Sequence, residues 1–119
     1  MTAPLTANDV ALQLARLGRD LDATVRALDT AERESVGRRE DFTLAHARAF
    51  LRAEGSVDHR KNTAIVETSA ERVAAETADV VVRGIRRQLE SIRTRIDIGR
   101  SVGAALRSEI ALAGSGHTP

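Results

Sequence analysis

The chain has 119 residues, enough for one domain and too few for two ordinary ones. It has no Cys, which excludes disulfides and Cys-based zinc sites, and its net charge of +1 is too small for a global field to select a partner. Two Phe and no Trp or Tyr, beside 20 Ala, argue against a many-layered globule and for closely packed helices of Leu, Ile, Val and Ala.

Residues 1–5 read as a short tail. Met1–Asp9 lacks the basic and apolar blocks of a signal peptide, and no apolar run approaches the roughly 18 residues of a membrane span. The first helix is expected to start near Thr6, because Thr6-Ala-Asn-Asp9 resembles a capping box with Asp in place of Glu. Val10, Leu14, Leu17, Leu21 and Leu28 then mark one face, and Phe42, Ala45 and Ala49, with Leu44 and Leu51, continue an apolar side. Ser35-Val-Gly37 is the weak point, since Gly costs about 1 kcal/mol in a helix interior, and a kink is expected there.

Glu54-Gly-Ser56 predicts a turn, with Gly55 in the left-handed conformation and Ser56 as the next N-cap. Beyond it, Val82, Ile85, Leu89, Ile92 and Ile96 follow heptad spacing, continued through Gly99 and Gly103 to Leu106 and Ile110. Upstream, Val66, Ala70, Val73, Thr77 and Val80 form a similar, slightly rotated stripe. Folding at Gly55 predicts partners whose numbers sum to about 111: Leu28 with Val82, Leu21 with Leu89, Leu14 with Ile96.

The fold class that follows is all-α: a long antiparallel helical hairpin, coiled-coil-like, over residues 6–112, with its turn near 54–57 and a disordered tail at 113–119. One hairpin covers one stripe of each helix. Ile98, Val102 and Ala105 lie beside the main stripe, so self-association into a dimer or larger helical bundle is expected. Gly99 and Gly103 on the stripe require either close helix approach, the favoured reading, or a bend.

Two surfaces stand out as candidate sites. Arg86, Arg93, Arg100 and Arg107 recur every seven residues, and Arg83 and Arg87 join them as candidate nucleic-acid contacts. The competing reading is a solvated face with Arg86–Glu90 and Arg93–Asp97 pairs, and no aromatic is interleaved for base stacking. Around the turn, Arg48, Arg52, His59, Arg60 and Lys61 form a candidate tip for docking a partner. His46 and His59 flank the turn without metal-ligand spacing, and His117 has no evident partner. No nucleophile elbow, phosphate-binding Gly loop or catalytic carboxylate pair is present. No catalytic residue, cofactor or metal is therefore expected, and the chain is read as a non-enzyme.

Ala45-His-Ala-Arg-Ala-Phe-Leu-Arg-Ala-Glu-Gly-Ser56, Arg60-Lys61 and Arg95-Ile-Asp-Ile-Gly-Arg-Ser101 resemble a group of small helical proteins of actinobacterial phages. The likeness spans roughly residues 38–110. It implies a phage origin, the bacterial cytoplasm, and an accessory role in replication or recombination. Small secreted helical hairpins with a Trp-x-Gly turn fit less well, because this chain has no Trp and turns at Ala53-Glu-Gly-Ser56. The expected function is that of an interaction or adaptor protein with a protein partner. Nucleic-acid binding through the Arg stripe is the alternative, and a virion component a further one.

Overall fold

A computed structural model describes residues 3–115 of the chain. Among the described residues there are three α-helices and no strand: α1 (Ala7–Arg52), α2 (Val57–Glu67) and α3 (Ser69–Ser115). The chain is an all-α helical hairpin, as its heptad spacing predicts. No helix in the described range is long and apolar enough to cross a membrane.

The ends of α1 follow from local chemistry. The Thr6 hydroxyl accepts from the Asp9 amide at 3.1 Å, and the Thr6 amide donates to the Asp9 carboxylate at 3.0 Å. These reciprocal bonds satisfy two donors that a helix start leaves open. They also hold the Asp9 carboxyl below the usual carboxylate range, the backbone bond from Thr6 contributing most. The helix runs through Gly37 without the short break its glycine suggests. At the turn, Gly55 has φ 103°, a conformation that disfavours any side chain. Ser56 caps α2 by accepting from the His59 amide at 3.2 Å.

The second half of the hairpin is two helices where one was expected. Thr68 closes α2 with its amide and hydroxyl both turned onto the Ala64 carbonyl, and α3 starts at the next residue. Thr68 is buried, so its hydroxyl must find a partner within the protein, and the preceding turn supplies it. At the other end, α3 continues through Gly99 and on to Ser115. Residues 113–115 are therefore helical and not part of a disordered tail; 116–119, with His117, lie outside the described residues.

The chain forms two compact units, residues 1–25 with 87–119, and residues 26–86. In the first, a Cβ placed on Gly99 would lie 2.8 Å from Leu14, and one on Gly103 would lie 3.4 Å from Val10. Gly99 thus permits the close approach expected of it, whereas a Cβ on Gly103 would make only ordinary contact. Both pairs of numbers sum to 113, which sets the register: Leu21 lies level with Ile92 and Thr24 with Leu89. Leu14 accordingly meets Gly99 and not Ile96. Val10, Leu17, Leu89 and Ile92 are buried on this seam.

In the second unit the seam is made of small residues: Ala31, Ser35, Ala49, Ala64, Thr68, Ala75 and Ala78, with Val82. The expected stripe through Val66, Val73 and Val80 faces outward. These valines are 74%, 52% and 52% exposed, whereas Ala75 and Ala78 are each 8% exposed. Stepping back from Val82 by alternate fours and threes reaches Ala78, Ala75, Glu71 and Thr68, so the heptad continues unbroken in small and polar residues. Leu44 and Leu51 are also exposed, outside the apolar side assigned to them.

Candidate functional site

Within residues 26–86, charge is placed across the helices. The Ser35 hydroxyl donates to the Asp79 carboxylate, and Arg39 bonds the same oxygen at 3.1 Å. The Ser35 bond, followed by the Arg39 charge, outweighs partial burial and holds the Asp79 carboxyl below its ordinary value. Arg86 meets Glu32 at 3.6 Å, and Arg52 meets Glu67 at 3.6 Å. Glu71 lies on the seam with one buried carboxylate oxygen that has no hydrogen-bond partner.

These contacts change the expected Arg stripe. Arg86 is bonded to Glu32, not to Glu90, and Arg83 adds its charge to the field at Asp79. Both lie within residues 26–86, where Arg86 is paired and Arg83 acts on Asp79 only through its charge. Arg87, Arg93, Arg100 and Arg107 fall in the other unit, where all four are exposed and none makes an ion pair among the described residues. The Arg93–Asp97 pair is not formed.

The tip is also more occupied than its composition implies. Arg60 does not project freely. Its guanidinium donates twice to the Phe50 carbonyl and lies 4.6 Å from the Phe50 ring centre, so it ties α2 back to the end of α1. Arg52 is held by Glu67. Arg48, His59 and Lys61 are exposed. The His59 ring lies against Gly55, 3.2 Å from where a Cβ would be, and the His46 ring stands edge-on to Phe42 at 6.0 Å. Among the described residues no three His, Cys, Asp or Glu side chains are grouped to hold a metal ion.

Both units also expose apolar side chains. Fifteen large apolar side chains are exposed among the described residues, whereas five are buried. In residues 26–86 one row recurs by threes and fours along the outside of α3: Ala70, Val73, Thr77 and Val80 are exposed and Gly84 is half-buried, with exposed Val81 and half-buried Ala74 beside them. This row carries no charge and spans about 21 Å at the helical rise. In the other unit, Ile98 is exposed and Val102 half-buried. They line a shallow apolar cleft of about 150 Å³ with Val10, Leu14, Leu17 and Gly99, and Ala105 is exposed nearby. The sequence places valines at sevens in plain view; which side of the helix they occupy depends on the register, which is why the outer row was read as part of the seam. No family model, curated protein or solved structure matches this chain, so the helical surfaces are the basis for a functional reading.

Proposed function

We propose that the chain is a non-enzymatic helical interaction protein that acts as an adaptor by offering an apolar helix face to protein partners. The observation that carries this reading is the outward row on α3. A 3–4 spaced apolar row flanked by polar residues is the pattern by which one helix recognises another, and solvent gives it no other role. The likeness of residues 38–110 to small helical phage proteins supports a phage-encoded protein with its partner in DNA replication or recombination. The test is capture from host lysate with two baits, the native chain and a Val73→Gln/Val80→Gln variant. A protein retained by the first and lost by the second supports the reading. Equal recovery by both, or nothing above background, contradicts it.

A second reading, an accessory factor binding nucleic acid, rests on Arg93, Arg100 and Arg107 being exposed and in no ion pair among the described residues. Glu90 and Asp97 stand among them and weaken the local field, so it ranks below the first. Labelled duplex and single-stranded DNA at two salt concentrations test it. Phosphate contacts require binding that falls steeply with salt, and no binding at low salt removes the idea.

A further inference from the structure

We infer that the outer row of α3 is a homodimer surface, on which a second copy of this chain docks antiparallel about a two-fold axis between Thr77 and Val80. The inference rests on the reading of that row as an interaction face and names its occupant.

The argument is one of charge complementarity. An antiparallel pair of identical helices has few registers that keep both apolar rows facing each other. One places Val73 opposite Thr77 of the partner and Ala70 opposite Val80. That register brings Glu76 of one copy against Glu76 of the other, since Glu76 flanks the row. Like charges directly opposed are unfavourable at a helix interface. The next register, one heptad on, places Thr77 opposite Val80 and Val73 opposite Gly84. Glu76 of each copy then faces Arg83 of the other, twice by symmetry. Gly84 offers a gap into which Val73 fits, and Ala74 and Val81 extend the apolar contact on the opposite flank.

Both flanking charges are available. Glu76 is 66% exposed and engaged only by Arg72 one turn away, at 3.3 Å, a solvent-exposed pair of small energetic weight. Arg83 is exposed and makes no direct ion pair. A heterologous occupant would have no reason to find these two charges placed for reciprocal pairing, whereas a two-fold self-contact uses each of them once per copy.

Sedimentation equilibrium across the micromolar range tests the inference, with far-ultraviolet circular dichroism as the control for folding. The native chain is expected to pass from monomer to dimer. Glu76→Lys and Arg83→Glu each place like charges across the axis twice and should weaken dimerisation by about tenfold or more. The double variant E76K/R83E restores opposite charges and should recover the native association. A native chain that stays monomeric, single variants that dimerise unchanged, or a folded double variant that stays dissociated would each overturn it. A monomeric native chain whose Val73→Gln/Val80→Gln variant loses a captured lysate protein would leave the adaptor reading standing and remove this one alone.

Discussion

Residues 26–86 hold their helices together differently from residues 1–25 with 87–115. Residues 26–86 have a seam of Ala, Ser and Thr, and all six ion pairs among the described residues lie within them. Residues 1–25 with 87–115 have a seam of Leu, Ile and Val with two glycines, and no ion pair among the described residues. The contrast shows two ways of specifying one register. Large aliphatic side chains stabilise through area and set register through shape, as at Leu14 and Gly99. Small seam residues stabilise less, and there directional contacts such as Ser35 to Asp79 fix the alignment. The side with the weaker seam also carries its larger apolar residues outside.

The largest expected effect breaks the aliphatic side. Ile92→Ala should cost about 2–5 kcal/mol, from lost burial plus the cavity left behind. Ala78→Gly on the small-residue side should cost only about 1 kcal/mol, mainly helix propensity. Thermal unfolding of both variants measures the difference, and equal losses would contradict the contrast.

Ser35→Ala comes next. Removing this buried hydroxyl should cost about 0.5–1.5 kcal/mol. It should also change the acid limb of the stability curve. The Asp79 carboxyl is lowered in the folded chain, by the Ser35 bond first, so its contribution is complete above the usual carboxylate range. That contribution is lost as pH falls below about 4. Urea midpoints between neutral pH and pH 3 should therefore drop less steeply in the variant.

Glu71→Met should stabilise the chain by about 1 kcal/mol and so raise its unfolding midpoint, because it removes a buried oxygen with no partner and adds apolar area to the seam. The smallest effect is expected at Arg93→Glu with Arg100→Glu. Neither arginine has an ion-pair partner to lose, so stability should stay within about 0.5 kcal/mol of the native chain. Arg86→Glu, which sets two carboxylates against each other at Glu32, should fall outside that window.

Much of the fold is legible in the spacing of apolar residues. Leu, Ile and Val at Val10–Leu28 and Val82–Leu106 identify two helices and one face, and Thr6, Gly55 and Ser56 mark their ends by known capping chemistry. The register is harder, because a heptad read alone does not say which layers of two helices lie level, as Leu14 against Gly99 shows. Small seam residues are harder still. Ala75 and Ala78 have the same periodicity as Val73 and Val80 and less hydrophobicity, so an apolar pattern selects the valines. The break at Thr68 has no Gly or Pro to announce it. Among the site residues, the seven-residue recurrence of Arg is plain in the chain. Only the partner helix shows that Arg86 has a counter-charge and that Arg93, Arg100 and Arg107 do not.

The central claim is that α3 turns Ala75 and Ala78 inward and Val73 and Val80 outward. The chain has no Cys, so single substitutions report one position each. Maleimide labelling of Ala75→Cys, Ala78→Cys, Val73→Cys and Val80→Cys in dilute native solution tests it directly. Slow modification at 75 and 78 with fast modification at 73 and 80 is the predicted result, and the reverse order would contradict the account.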